Sequence, residues 1–313
     1  MSTSPGTRTK ACIVTMFLLA LLAGPINAQQ SGHYLQGITG LDNGTVAPPG
    51  IYVSFLPWVN TVRSVRGPQG NGVADLGLNV ASHNVVYQET THKKVLGADY
   101  AFSVIFPVVN SRIVDATPVP TAPVPGFSDM YFSPVTLGWS ARKANYLLAY
   151  GFYAPTGSFD PTKSQNSGLG FWEQQIQGGA SYSFDSKELW NASVLTTWEI
   201  NQSKTGLDLK PGRMFNAEYS LGHRFDKHKI NVGVVGYAYH KLSPDSGADA
   251  NILGSSALDR SYGLGPEFKY VNPRKHFSFD LRYEHQFAVE SKTQGDVYVA
   301  GVTWVDIFAP RHR

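Results

Sequence analysis

The feature that most constrains this chain is the alternation of apolar and polar residues over long segments. Four segments keep a period of two for eleven to thirteen residues: 172–184, 190–201, 215–225 and 277–289. A period of two predicts β-strands with one apolar and one polar face. Strands of soluble sandwiches usually run for about 5–6 residues, whereas a tilted membrane strand needs about 9–11. We therefore predict an all-β protein, a transmembrane antiparallel up-and-down β-barrel, over a large soluble sandwich.

Strands assigned by this pattern number twelve, an even number, as in single-chain bacterial barrels. They are 51–62, 73–87, 94–109, 128–140, 146–157, 171–185, 189–202, 211–226, 229–242, 260–271, 276–291 and 294–308. Short polar turns at 142–145, 185–188, 226–229 and 272–275 follow even-numbered strands. Longer loops at 118–125, 156–170, 203–212 and 242–260 follow odd-numbered ones. Short periplasmic turns and long outer loops are typical of outer-membrane barrels, so both termini are expected in the periplasm.

Composition agrees with a barrel that has one face in lipid. Charged residues make up 16% of the chain, against about 25% in soluble domains, and aromatic residues make up 12%. After the N-terminal region no stretch approaches about 18 uninterrupted apolar residues, which excludes helical membrane spans. The net charge of +3 is too small to indicate nucleic acid or acidic partners.

The N-terminus resembles an export signal. Arg8 and Lys10 precede the apolar run 11–24, and small Ala28 follows it. This run is too short to span a bilayer. We predict a signal peptide at 1–28, whose removal takes away Cys12, the only cysteine. The segment 29–50 is predicted as either a plug or a periplasmic tail, 51–308 as the outer-membrane barrel and 309–313 as a C-terminal extension.

Several blocks resemble the MetA-pathway phenol-degradation family, a group of outer-membrane proteins. In family order along the chain, these are 32–35, 48–53, 133–139, 153–157, 234–237, 245–247 and 290–304. One departure concerns the C-terminus. Family members resemble barrels that end on an aromatic residue after the last strand, whereas here five further residues follow Phe308. This departure bears on how the barrel-insertion machinery, an expected partner, recognises the last strand.

The resemblance implies a function connected with the catabolism of phenol and other aromatic or hydrocarbon compounds. With the barrel, it predicts passive passage of a small apolar or aromatic solute across the bacterial outer membrane, whose lipid is the other expected partner. The family supplies no catalytic residues and no cofactor. Barrel architecture alone does not decide function.

The polar strand faces are predicted to line the lumen. The charged candidates are Asp99, Glu173, Glu199, Glu218, Arg224, Glu267, Lys269, Asp280, Arg282 and Glu284. Because both signs are present, these residues favour internal salt bridges over a single-sign ring that selects ions, although a role in substrate selection stays open. Aromatic residues predicted to form a substrate route near the outer end are Phe127, Tyr153, Phe159 and Phe171.

Two other function classes remain. A rim-active lipid hydrolase would need a nucleophile beside a histidine; His223 and His285 fall on lipid-facing positions, but Ser220 lies on the opposite face from His223. There is no G-x-S-x-G elbow. The histidines show no metal-ligand spacing, so no metal or cofactor is expected. A structural or adhesive barrel with binding loops is the other alternative.

Overall fold

The computed structural model describes residues 31–113, 125–163, 166–225 and 229–306, in which strands dominate. The strands are β1 (Gly50–Arg66), β2 (Gly72–Val95), β3 (Ala98–Ile113), β4 (Gly126–Phe127), β5 (Met130–Ser140), β6 (Ala144–Ala154), β7 (Glu173–Ser183), β8 (Trp190–Asn201), β9 (Met214–Phe225), β10 (Ile230–Lys241), β11 (Arg260–Asn272), β12 (Phe277–Glu290) and β13 (Thr293–Val305). The one α-helix of the described part is α1 (Ala250–Leu253), and a 3₁₀ turn covers Pro273–Lys275. No helix in these ranges is long and apolar enough to cross a membrane.

Twelve of the strands close into an antiparallel barrel, which confirms the predicted fold class. Each pairs with its neighbour in the chain, and β1 also pairs with β13, from Tyr52↔Val305 to Val65↔Thr293. The two-residue strand β4 is outside this ring and pairs only with β3. Closure leaves no open sheet edge, the condition that lets a sheet cross a membrane.

The predicted boundary between the second and third strands is wrong. Residues 94 and 95, expected to open the third strand, instead end β2. A tight turn follows, in which Leu96 and Gly97 both have positive φ, of 51° and 77°. Gly97 adopts a positive φ without a steric penalty. The two residues between Val95 and Ala98 therefore form the hairpin turn.

The barrel has a polar inside and an apolar outside. On β12, Leu281 is 48% exposed while its neighbour Arg282 is 5% exposed, and on β9 Leu221 is 48% exposed beside Ser220 at 5%. A soluble sandwich would bury the apolar side chains instead. The inverted distribution is that of a barrel whose outer face meets lipid.

Aromatic side chains ring both ends of the outer face. We call the end with the long connections 155–172, 202–213 and 242–259 the loop end, and the opposite end the turn end. At the loop end, the rings of Trp198 and Phe215 lie 4.6 Å apart. At the turn end, the exposed rings of Trp190 and Phe225 both contact His223. These positions correspond to the girdles of membrane barrels.

A charge in the middle of the lipid-facing surface should be poorly tolerated. We expect Leu221→Arg to lower the free energy of unfolding in lipid vesicles by about 2–4 kcal/mol, because a cation there loses its hydration. Leu258→Arg, at a residue 54% exposed in a loop-end connection, is the matched control and should cost about 0–1 kcal/mol. Urea titration, followed by the heat-dependent shift in gel migration, measures both. Equal costs would mean that Leu221 does not face lipid.

Candidate functional site: the occupied lumen

The described N-terminal residues 31–49, which we call the lumen segment, lie inside the barrel. Trp58 on β1 donates a hydrogen bond from Nε1 to the carbonyl oxygen of Gln36, at 2.9 Å. Leu35 and Ile38 of the segment pack against Trp58 and two buried valines of β13. The segment therefore fills space that the wall side chains of a twelve-stranded barrel leave free.

Glu218 on β9 holds the middle of the lumen segment. Its carboxylate accepts hydrogen bonds from the backbone nitrogens of Gly37 (3.0 Å), Ile38 (3.2 Å) and Thr39 (2.9 Å), and from the Thr39 hydroxyl. The side chain is 2% exposed. Three consecutive N–H groups outside any strand or helix thus bond to one charged acceptor, and Ile38 N also donates to the carbonyl oxygen of Leu35 at 3.2 Å. Hydrogen bonds to a charged group are the strong ones.

A second carboxylate acts with an arginine beside it. Glu267 on β11 accepts from the backbone nitrogen of Leu41 at 2.8 Å and from Arg282 Nε at 2.8 Å. Arg282 on β12 in turn donates to the carbonyl oxygen of Gly37 at 2.6 Å. Gly40, with a φ of 66°, lies so close to this pair that a Cβ atom would overlap both side chains. The glycine therefore lets the backbone approach the ion pair.

The turn-end part of the lumen segment carries its own charge. Asp42 has a φ of 65°, and its carbonyl oxygen accepts a bond from the Thr45 hydroxyl at 2.8 Å. The Asp42 carboxylate contacts Arg224 Nη2 at 2.6 Å and Lys269 Nζ at 3.5 Å. Burial opposes ionisation of Asp42, but Lys269 and Arg224 outweigh it and lower the pKa of this carboxyl.

At the loop end, His33 lies between two carboxylates. Its Nδ1 is 3.0 Å from Glu173 Oε2 and its Nε2 is 2.8 Å from Asp129 Oδ2. Both ring nitrogens of a histidine can donate only in the protonated form. Burial disfavours that charge, but Glu173 and Asp129 outweigh the burial and raise the pKa of His33 above its usual value.

Aromatic rings surround His33 and form what we call the outer aromatic cluster. Tyr153 stacks on the imidazole with ring centroids 4.6 Å apart, and Phe171 meets its edge at 4.7 Å. Lys204 Nζ lies 5.1 Å from the ring centre of Phe159 and 5.5 Å from that of Phe171, within range of a cation–π interaction. The cluster covers the loop end of the lumen segment. The first described residues therefore lie at the loop end and not at the turn end, where the expectation of a periplasmic N-terminus would place them.

The charged residues predicted to line the lumen occupy three kinds of place. Glu173, Glu218, Arg224, Glu267, Lys269 and Arg282 contact the lumen segment. Glu199 and Glu284 are each 1% exposed, and one oxygen of each has no hydrogen-bond partner among the described residues. The third group, Asp280 and Asp99, pairs with cations of the barrel strands. Asp280 lies 3.8 Å from Arg282, and Asp99 lies 2.5 Å from Lys94.

Of the four predicted route aromatics, the structure brings Tyr153, Phe159 and Phe171 together. Phe127 lies apart in β4 and is 43% exposed. Sequence reasoning missed Asp129, Lys204 and Asp42, since each lies in a connection or in the lumen segment without a periodic pattern. His33 was not part of any motif with a recognisable spacing either. Its two partners come from β7 (Glu173) and from the connection before β5 (Asp129).

The residues considered for catalysis do not assemble. Ser220 Oγ lies 2.6 Å from Ser193 Oγ inside the barrel, whereas His223 packs between Trp190 and Phe225. His285 Nδ1 is 2.8 Å from Asp296 Oδ1, an oxygen to which the Tyr283 hydroxyl also donates. Across the described ranges, no group of three His, Cys, Asp or Glu side chains is placed to hold a metal ion.

Removing the Glu218 carboxylate should release the lumen segment. In Glu218→Leu the backbone N–H groups of Gly37 and Thr39 lose their acceptor and that of Ile38 loses one of two. Each bond to a charged group is worth about 1.5–3 kcal/mol. We expect a higher single-channel conductance in planar bilayers. Ser220→Ala, two residues along the same inner face, should leave the conductance unchanged, because Ser220 bonds to Ser193. Unchanged conductance in Glu218→Leu would mean that the segment does not limit the lumen.

The His33 ion pairs should depend on pH. Because the pKa of His33 is raised above 6.5, the pairs stabilise the segment fully below about pH 6.5. That stabilisation is lost as the pH rises through the raised pKa. NMR titration of His33 should show the raised value, and Asp129→Asn should bring it down by removing one charge. A midpoint below 6.5 in the unsubstituted protein would contradict the protonated assignment.

Comparison with known proteins places this geometry among outer-membrane barrels. An outer-membrane channel of Pseudomonas putida F1, of the COG4313 group, superposes with a TM-score of 0.72 at 10% identity, covering 84% of this chain and 98% of that one. The β domain of the Bordetella autotransporter BrkA gives 0.49 at 9% identity, covering 81% and 99%. The TodX monoaromatic hydrocarbon channel gives 0.42 at 8% identity, covering 85% and 92%. No curated protein matches the sequence.

At these identities the structural matches show the fold only, and the fold is that of barrels of the outer membrane. The sequence itself matches the family model described as putative MetA-pathway of phenol degradation over residues 63–300. The chain therefore belongs to this family, as its sequence blocks indicated.

Proposed function

We propose that this member of the phenol-degradation family is a bacterial outer-membrane channel for the passive passage of small apolar or aromatic compounds. In this proposal an N-terminal signal at 1–28, outside the described residues, directs export. The loop end faces the exterior and the turn end the periplasm, and no enzymatic step is involved. The partners are outer-membrane lipid, the barrel-insertion machinery and the solute.

The observation that carries the proposal is the way the lumen is filled. Its centre holds a separate segment, bound through hydrogen bonds, ion pairs and the apolar contacts of Leu35 and Ile38, in addition to a cluster of buried wall side chains. A barrel serving only as an anchor or a scaffold gains rigidity from a packed interior. A segment that has no strand pairing with the wall can move aside, so the lumen can open without breaking the ring of strands.

The outer aromatic cluster supports an aromatic or apolar solute. Tyr153, Phe159 and Phe171 lie together, with Lys204 and His33 as the polar groups among them. Phe171 is 1% exposed, so in this proposal a solute reaches its ring when the lumen segment moves aside. Binding sites for small molecules combine apolar walls with a few placed polar groups. The family description, which concerns phenol degradation, agrees with this class of solute.

A rim-active hydrolase has one observation in its favour. The pair of His285 and Asp296 has the geometry of a base and the acid that orients it, and the His285 side chain is 52% exposed. A hydrolase also needs a nucleophile beside the base. Among the hydrogen bonds of the described residues, the partner of the His285 ring is Asp296 alone. Channel function therefore accounts for more of the structure.

Uptake of an aromatic probe tests the proposal. We expect the double variant Phe159→Ser and Phe171→Ser to slow phenol uptake by cells, because the route loses its aromatic surface. Ile252→Ser, which changes an apolar residue 79% exposed on α1, is the matched control and should take up phenol normally. Heat-dependent gel migration shows that equal amounts of folded protein are compared.

Three outcomes would count against the proposal. Faster uptake in the double variant would make the cluster a barrier and not a route. Unchanged uptake would place the route elsewhere. If cells lacking the whole protein also take up phenol at the normal rate, the channel function itself fails, and the hydrolase and adhesive alternatives replace it.

A further inference from the structure

A cavity of about 580 Å³ lies at the turn end, between the lumen segment and the barrel wall. Arg224 and Lys269 line it, together with apolar residues that include Val46, Val271 and Phe277. This volume falls within the range of sites for small organic ligands. The cavity combines two cations with apolar surface, so it offers more than a passage for water.

Both cations share one counterion supplied by the chain itself. Asp42 Oδ1 lies 2.6 Å from Arg224 Nη2, and Asp42 Oδ2 lies 3.5 Å from Lys269 Nζ. Asn231 Nδ2 also donates to Oδ2, at 3.4 Å. Arg224 comes from β9 and Lys269 from β11, with Asn231 on β10 between them. Three adjacent strands therefore build a cradle for a carboxylate, and Asp42 occupies it.

The contacts in this cradle are open to exchange. The side chains of Asp42, Arg224 and Lys269 are each 22–26% exposed, whereas those of Arg282 and Glu267 deeper in the lumen are 1–2% exposed. Ion pairs that water reaches are worth little, so a competing anion can replace them at low cost. Asp42 itself stands at a turn with a φ of 65°, a conformation that non-glycine residues rarely adopt.

Asp42 itself identifies the competitor as a monoanion. The cations that hold the Asp42 carboxylate are Arg224 and Lys269. Glu188 also lines the cavity, so a ligand with more than one negative charge would meet repulsion there. A single carboxylate replaces Asp42 without a change in net charge, whereas leaving the cations unpaired costs free energy.

We propose that this cradle is a binding site for aromatic carboxylates, and that Asp42 is an internal mimic that occupies it until such a ligand displaces it. The carboxylate pairs with Arg224 and Lys269, and the ring lies against the apolar wall of the cavity. Displacement of Asp42 frees the turn-end part of the lumen segment. The inference rests on the proposed channel function and names one substrate class for it.

Binding of benzoate to the purified full chain in detergent, measured by calorimetry, tests this site. Because Asp42 holds the site in its occupied form, the apparent affinity of the unsubstituted protein is reduced by the fraction of time that the site is free. If Asp42 leaves the site free about a tenth of the time, Asp42→Asn should tighten benzoate binding by about tenfold. Asp185→Asn, the same change in a turn-end connection outside the cavity, should leave benzoate affinity unchanged.

Further arms identify the ligand chemistry and separate it from a loosened segment. Adding Arg224→Gln to Asp42→Asn should abolish the gain in benzoate affinity, because the cradle loses one of its two cations. Phenol, which lacks the carboxylate, and inorganic phosphate, which lacks the ring, should each bind Asp42→Asn more weakly than benzoate.

The proposal is overturned if Asp42→Asn fails to tighten benzoate binding, if Arg224→Gln leaves the gain intact, or if phenol or phosphate binds as tightly as benzoate. These are measurements on purified protein, whereas the channel function is tested by phenol uptake in cells. Normal phenol uptake with no benzoate site would therefore leave the channel standing without this ligand class.

Discussion

The structure depends on one constraint, that a backbone in lipid must satisfy its hydrogen bonds internally. The pairing of β1 with β13 meets it by joining the first and last strands of a twelve-stranded ring. Once the ring is closed, every strand has a face toward lipid and a face toward the lumen. The alternation of Leu221 outside with Ser220 inside follows from this geometry.

Closure also creates the problem that the lumen segment solves. Twelve strands enclose more space than side chains of the wall readily fill, since barrels of eight strands are already filled by theirs. An inserted backbone brings N–H groups that need acceptors in a place with little water. Glu218 and Glu267 supply those acceptors, and Arg282 supplies a donor for a carbonyl oxygen. The buried charges thus serve the contents of the lumen as well as its wall.

The two ends of the segment differ in how firmly they are held. At the loop end His33 is buried between two carboxylates and stacked on Tyr153. At the turn end Asp42 meets Arg224 and Lys269 in a partly exposed cavity. Water screens the second set of ion pairs more than the first. Movement of the segment is therefore expected to begin at Asp42, beside the cavity.

The site was less predictable from sequence than the fold. Glu218 and Arg282 stood out because each occupies the polar face of a clearly alternating strand. His33, Asp129 and Asp42 lie in segments without a period, so no local pattern predicted that they would meet charged partners. Their partners are 96 to 227 positions away in the chain, as for His33 with Asp129 and Asp42 with Lys269.

The sequence by itself determined the class of fold, the number of barrel strands and the face on which most side chains of the regular strands lie. It could do so because a period of two is a local property, read from neighbouring residues. Val289 is an exception: the period over 277–289 predicts it on the lipid-facing side with Leu281, but it is 2% exposed, because Ala288, with a φ of 46°, interrupts the alternation. Only the tertiary structure placed residues 31–49 in the lumen, a position that the sequence left open. That position depends on whether carboxylates from β7, β9 and β11 converge on one backbone, which requires the closed ring.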